Sequence, residues 1–510
     1  MRSTRLLPLG LLVASLGALA GCTLTLDYNQ CKSDDECKTK NAAAPYCTQD
    51  NICVSAIPTD RLCSATPYPQ LSTKARTTRI GAILQLNGDT ANGRGSPDEY
   101  RLLFLKYAVD EINTQVAAFS DSIGQVELYV CSVSSKDDAV NAMSLLATAK
   151  NPIVAAVGPS FTDGVNALAD AAPGLQVPVL FPAATASSLS MKARRGYSFL
   201  LAPLDNAHAA TMASVVPNRQ SIYVVSQQGS YGSSVQQAFV TEYNRRDAMN
   251  NMGVSVQTPF DDSAAAQQSL SDLARDLKAR SPILNYLVTV TSPSQVGVLK
   301  LFKDLPYDSK NASKTTQILM SDGGRSGAML AYAKQVAEAA VAKPMDTDAQ
   351  SELTSLFRLR GVSASQLVNN ATTTTFKTPF LGKNPGFEFG RDLYMTFAYD
   401  AIYTATVAVD SVELAAGATA TGADVAKVLR KLNSNGKMIA PLGPGPYPDT
   451  VSKVRAAADA IQLEGLTGVI GFDSNDGTRQ GASFETWWID FKPTPPTFVL
   501  TDPRAMSMGM

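Results

Sequence analysis

Two short apolar runs, each ending in a small polar turn and joined by a helix, constrain this chain more than any other feature. Ile153 to Val157 is a run of strand length that stops at Gly158 and a turn carrying Thr162 and Asp163. An Ala/Leu-rich stretch of helical spacing follows, Val165 to Ala172, and a second apolar run, Val177 to Phe181, ends in the turn Pro182 to Ser188. Apolar runs of this length, bounded by turn residues and separated by a helix, describe a β-α-β unit. In open α/β sheets, ligands sit in the crevice outside the carboxyl ends of the strands. The two turns are therefore the leading candidate for half of a small-molecule cleft.

The same alternation runs on both sides of this unit. Strand Ile80 to Leu86 enters a Gly-rich loop, Asn87 to Gly95, and Ser96-Pro97-Asp98-Glu99 opens a helix with a hydroxyl cap, a proline at the first position and an acid three residues on. Leu102, Leu105, Val109 and Ile112 mark its buried stripe. The loop lacks both the Gly-Lys-Ser/Thr ending and the Gly-x-Gly-x-x-Gly phasing of phosphate loops, so it reads as a turn for close backbone approach. Strand Val126 to Cys131 and a helix over Asp137 to Ala149 precede the central unit, and strand Phe199 to Ala202 leaves it.

From Ala210 the pattern restarts. A helix over Ala210 to Val215 leads to strand Ile222 to Val225, the turn Gln227 to Gly232 and a helix to about Arg246. Strand Val254 to Gln257, helix Leu270 to Ala279, strand Leu284 to Val290, helix Ser294 to Leu305 and strand Gln317 to Met320 continue it, ending at Ser321-Asp322-Gly323-Gly324. Two successive runs of this make-up predict an α/β protein of two doubly wound, Rossmann-like lobes joined by a hinge, with a cleft between them. Residues 340–385 have no clear period, and their Thr-rich piece and several Pro and Gly read as an insertion or a long crossover. Helices are expected over Gly390 to Ala416 and Gly422 to Leu432, then strands Val469 to Phe472 and Phe484 to Phe491. The turn Asp473 to Gly477 lacks the acidic phasing of a calcium loop and reads as a hairpin turn.

The N-terminus speaks to compartment. Arg2 and Arg5 precede the apolar run Leu6 to Leu16 and then Leu19-Ala20-Gly21-Cys22, the order of a secretory signal. That run is too short for a membrane span, which needs about 20 apolar residues. Leu-Ala-Gly-Cys resembles the bacterial lipobox, which implies cleavage before Cys22, lipidation of that cysteine and a place in the bacterial cell envelope, facing the periplasm or the exterior. Five further cysteines, Cys31, Cys37, Cys47, Cys53 and Cys63, fall in one short cluster, with Cys131 apart. So short a segment cannot bury a useful core, and outside the cytoplasm such a cluster reads as a disulfide-stapled module. Zinc is the competing reading, but the single histidine, His208, is far away in sequence. We expect Cys63 to join Cys131 and the other four to pair among themselves. No metal or cofactor is expected. Basic and acidic residues balance, 44 against 45, and no basic patch points to nucleic acid.

The ordered motifs are similar to those of type I periplasmic solute-binding proteins, and among them to the branched-chain amino-acid receptors. The shared pieces are Ile80-Gly-Ala-Ile-Leu84, Ala108-Val-Asp-Glu-Ile-Asn113, Val157-Gly-Pro159, Phe181-Pro-Ala-Ala-Thr185, Ser230-Tyr-Gly232, Ala398-Tyr-Asp-Ala401 and Gly468-Val-Ile-Gly-Phe-Asp473 with Gly477. They span about residues 79–500, in the family's order. The N-terminal pattern gives a signal peptide over residues 1–21 and a Cys-rich tether over 22–75, and the resemblance implies a first lobe from 76–205 with about 385–480. A second lobe comes from 206–345 with about 481–510, and 346–384 is a crossover or insertion.

It also implies how a ligand is held. Hydroxyls at Thr162 and Thr185, with nearby backbone N–H groups, would grip an amino acid's carboxylate; Tyr231 would supply an aromatic wall and Asp322 the acid that meets the ammonium. Asp163 completes the candidate ligand-binding set, although a carboxylate beside an anion site repels unless it points away. Where relatives carry a second aromatic, this chain has Thr291 and Ser292. The function implied is a lipid-anchored receptor that presents a small zwitterion to an ABC transporter permease. The alternative on the same fold is a ligand-free envelope scaffold or regulator. An enzyme is disfavoured, because one histidine and no clearly free cysteine supply nucleophile-base arrangements poorly.

Overall fold

In the computed structural model the described residues are 31–40, 46–47, 51–54, 61–64, 66–70, 76–86, 97–117, 123–189, 196–246, 254–256, 260, 267–280, 284–291, 293–307, 315–390, 392–417, 419–458, 460–493 and 495–501. Cys22, the signal segment, the Gly-rich loop 87–95, Ser96 and Ser292 lie outside them. The chain divides into two units after Pro58.

The first unit holds a short helix α1 (Asp34–Lys40) and a hairpin of β1 (Tyr46–Cys47) and β2 (Cys53–Val54). Disulfides join Cys31 to Cys47 and Cys37 to Cys53. The sulfurs of Cys31, Cys37 and Cys47 all lie within 4.8 Å of one another, which this pairing explains without a metal. With so little chain to bury, the cystines themselves are the core.

In the second unit, β3 (Thr77–Leu84) is apolar and buried along most of its length, as suits a strand covered on both faces. Helix α2 (Pro97–Val116), β4 (Gln125–Ser132), α3 (Lys136–Ala147), β5 (Ala155–Val157), α4 (Thr162–Leu175), β6 (Val179–Phe181) and β7 (Ser198–Leu200) follow. Their strands form a five-stranded, all-parallel sheet in the order β4-β3-β5-β6-β7. The Cys63–Cys131 disulfide ties the entering chain to β4.

Helix α5 (Asp205–Val215) carries the chain into the second lobe, where β8 (Ile222–Ser226), α6 (Ser230–Arg246), β9 (Val254–Val256), α7 (Gln267–Arg280), β10 (Tyr286–Val290) and β11 (Gln317–Met320) repeat the alternation. The helix expected over 294–305 is a 3₁₀ helix, Pro293–Asp304. Residues 327–383, mostly unread in the sequence, hold α8 (Gly327–Ala342), α9 (Thr347–Phe357), β12 (Leu359–Ala364) and α10 (Ala371–Lys383). β12 sits in the middle of the second sheet. Its Gly361 lets the Trp487 ring lie against the backbone, since a Cβ there would meet that ring at 2.0 Å. The Thr-rich piece is helical because Asn370 caps it, accepting from the Thr373 N–H.

Helix α11 (Met395–Ala416) packs on α2, and α12 (Gly422–Lys431), β13 (Met438–Pro441), α13 (Tyr447–Ala456), β14 (Ile461–Gly465) and β15 (Gly468–Ile470) complete the first lobe's core. β13, α13 and β14 carry no clear period in the sequence. Finally β16 (Phe484–Asp490) and β17 (Thr497–Thr501) close the second sheet, which is seven-stranded in the order β17-β16-β12-β11-β10-β8-β9, with parallel pairings except β12–β16 and β16–β17. The chain thus passes between lobes after β7, after β12 and after β15.

The Ala398-to-Ala401 motif has a structural role at this junction. Asp400, fully buried on α11, accepts from the N–H groups of Leu466 (2.8 Å) and Thr467 (3.0 Å) and from the Thr467 hydroxyl. Arg479 donates to Thr467 oxygens at 2.6 and 2.8 Å, and burial pulls its guanidinium down to about 10. An acid and a base buried together with hydrogen bonds to both pin the turn after β14 against the returning chain.

Candidate ligand-binding cleft

The ends of β5 and β6 face the second lobe across a cleft of about 430 Å³. From the first lobe, Ser160, Phe161, Thr162, Ala183 and Thr185 line it. Thr162 is the first residue of α4, whose cap position, Phe161, offers no side-chain acceptor to the first-turn N–H groups. Those donors, with two hydroxyls, make an uncharged anion site. Asp163, one residue on, is exposed and lies outside the cleft lining, so the repulsion expected of it does not arise there.

Across the cleft, β11 delivers Ser321 and Asp322, and the first turn of α6 delivers Tyr231. That turn can approach only because residue 232 is glycine: a Cβ would lie 2.0 Å from the Gln227 carbonyl oxygen. The Tyr231 hydroxyl donates to Asp322 Oδ1 and sits 3.0 Å from Ser321 Oγ. Asp322 Oδ1 also accepts from the Gly323 N–H (3.0 Å), and Oδ2 accepts from the Tyr394 hydroxyl at 2.5 Å. Burial and the Asp322 charge push both phenols well above their ordinary pKa, keeping them donors. Thr162, Thr185, Tyr231 and Asp322, far apart in the chain, therefore meet in one cleft.

Several charged residues in and behind the cleft were given no ligand role in the sequence. Asp205 opens α5, five residues earlier than the helix expected from Ala210. It is fully buried, and neither carboxylate oxygen completes a hydrogen bond, although the Thr185 and Ser234 hydroxyls stand close. Burial, then the charge of Asp322, raises it to about 6. His208, one turn on, shares Nε2 with the Val362 carbonyl (2.9 Å), while Nδ1 lies 3.6 Å from Asp322 Oδ1. The lone histidine thus stands behind the acid. On the first lobe, Asp98 pairs with Arg101 and also accepts from the Gln85 N–H (2.7 Å) and the Ser160 hydroxyl (3.2 Å). From the second lobe, Arg325 pairs with Glu485 and bonds Ser363 (2.8 Å). Only the Asp after a strand and the Pro-Asp-Glu helix start hinted at any of these. Thr291 is buried, away from the cleft lining, and its hydroxyl has no partner among the described residues.

A larger groove of about 660 Å³ runs along Ser187, Asn206 and residues of α6. Among the described residues its lining includes no strand end and no buried charged side chain, so the smaller cleft is the candidate site.

Residues 102–490 match the family described as the receptor family ligand binding region. The chain belongs to that family. Its fold is that of type I periplasmic binding proteins, as the motif order implied. Among solved structures, the leucine binding protein LivK of Thermotoga maritima is similar at 15% identity and a TM-score of 0.56, over 84% of this chain and 100% of that one. The branched-chain amino-acid transporter substrate-binding protein LivJ of Streptococcus pneumoniae, in complex with isoleucine, is similar at 15% identity and 0.54, over 84% and 100%. An ABC transporter substrate-binding protein of Desulfitobacterium hafniense, in complex with Leu, gives 14% and 0.55, over 83% and 100%. At such identities the likeness is one of fold. No curated protein sequence matches the chain.

Proposed function

We propose that this protein is an extracytoplasmic substrate-binding receptor of an ABC transporter, lipid-anchored through Cys22, that closes its lobes on an amino acid or similar small zwitterion. The observation that carries the reading is the division of charge across one cleft. Neutral hydroxyls and helix N–H groups at Thr162 and Thr185 suit a carboxylate, and buried acid at Asp322, with Asp205 behind it, suits an ammonium. The similar structures bound to isoleucine and Leu support the ligand class. Hinge closure would desolvate both ends of the ligand at once. The Leu19-to-Cys22 motif supports the anchor, and the disulfides suit an oxidising compartment. No described helix is long and apolar enough to cross a membrane. The permease is the partner this reading requires.

A second reading, a ligand-free envelope scaffold, draws on one observation: both Asp322 oxygens already have donors within the protein. A thermal-shift screen against amino acids, small amides and short peptides separates the two. A receptor gains about 2.7 kcal/mol of stability at ligand a hundredfold above its dissociation constant. No stabilisation by any solute selects the scaffold.

A further inference from the structure

Tyr394 is where the expected helix and the observed chain disagree, and it stands in the cleft wall. It is 6% exposed, and its φ of 60° puts a bulky aromatic in the left-handed region that such residues avoid. The surroundings over-determine that conformation. Arg325 of the second lobe donates to the Gly390 carbonyl (2.9 Å), and Arg101 of the first lobe donates to the Leu393 carbonyl (3.0 Å). Gly327 N–H bonds Asp392 Oδ1 (3.2 Å), and Gln366 bridges Asp392 and the Met395 N–H. Two buried arginines, one per lobe, thus hold this short strap by its backbone and aim one hydroxyl at Asp322.

That hydroxyl differs from its neighbour. Tyr231 bonds Ser321 as well as Asp322, whereas among the described residues Tyr394 bonds Asp322 alone, through Oδ2. We propose that Tyr394 is a built-in occupant of the cation seat: a neutral donor that a ligand's ammonium displaces. The inference rests on the receptor reading and narrows its ligand class. A ligand hydroxyl would exchange one neutral donor for another at Oδ2. An ammonium adds charge pairing that offsets the lost phenol bond, whereas a hydroxyl gains nothing at Oδ2, so in the wild type only an ammonium draws net affinity from this seat. The left-handed backbone is the device that keeps the phenol within reach yet tied by a single bond.

The test uses the full-length mature protein and isothermal titration, with the common amino acids and 2-hydroxyisocaproate, the hydroxy analogue of leucine, as probes. Tyr394→Phe frees Oδ2 and is expected to tighten the best amino acid about tenfold and the hydroxy acid by a similar factor, since both are relieved of displacing the same phenol. Adding Asp322→Asn should erase the gain, because the gain runs through that carboxylate. Tyr394→Asn, which suits a left-handed backbone, serves as the second variant and should gain likewise. Wild-type binding that Tyr394→Phe and Tyr394→Asn leave unchanged or weaken overturns the inference while the receptor reading stands. Binding that appears only in the variants supports it. No amino-acid binding by any of the three proteins overturns both.

Discussion

The two lobes share a topology and face one cleft with opposite chemistry. The first presents strand-end hydroxyls and the uncapped start of α4. The second presents Asp322, buried at 2% exposure and surrounded by phenols, an imidazole and a second acid. Their cores differ as well. The first lobe is stapled by Cys63–Cys131 and by a cluster of Phe104, Phe376, Phe380, Phe387 and Phe389 rings, whereas the middle of the second sheet is plugged by the Trp487 indole on Gly361. Neutral dipoles can be placed by local turns. Buried charges need the whole lobe around them, which is why the second face depends more on tertiary packing.

This contrast can be broken at its strongest point first. Trp487→Ala should cost about 3–5 kcal/mol in denaturant unfolding, since it empties a fully buried site between the Gly361 backbone and the Phe498 ring. A loss below about 1 kcal/mol would show that the second core is not organised around it.

Asp205 tests the buried charge through pH. Its folded pKa of about 6 exceeds its ordinary 3.8, so the native state holds the extra proton between those values. Its contribution to stability is therefore full below about 3.8 and is lost as pH rises to about 6, a swing of about 3 kcal/mol at most. Unfolding free energies of wild type and Asp205→Asn should diverge across that window; parallel curves would remove Asp205 from the charge balance. The same protonation should weaken ammonium binding as pH falls below about 6.

Asp322→Ala should reduce amino-acid affinity at least a hundredfold, about 2.7 kcal/mol, because it removes the acid from a desolvated seat. Unchanged binding places the ammonium elsewhere. Thr162→Ala and Thr185→Ala should each cost only about 1 kcal/mol, with backbone N–H groups still holding the carboxylate. A larger loss at either threonine than at Asp322 would reverse the assignment of the two faces.

Alternating apolar runs and small turns were enough to read the two doubly wound lobes and the polar turns at Thr162 and Thr185, while Tyr231 and Asp322 came only from the family resemblance. The expected Cys63–Cys131 bond is present. These features are local: strand length, helix period and turn residues declare themselves over a few positions. The rest is not local. β12 resembles any polar-interrupted stretch, yet hydrogen bonds to β11 and β16 place it in mid-sheet. A helical period runs through Tyr394, but arginines from both lobes pull the preceding strap out of helix. Asp205 and His208 look like an ordinary helix start until packing sets them behind Asp322. The sequence by itself determined the architecture and the hydroxyl face. Only the tertiary structure decided which charges share the buried seat, because that depends on desolvation by residues distant in the chain.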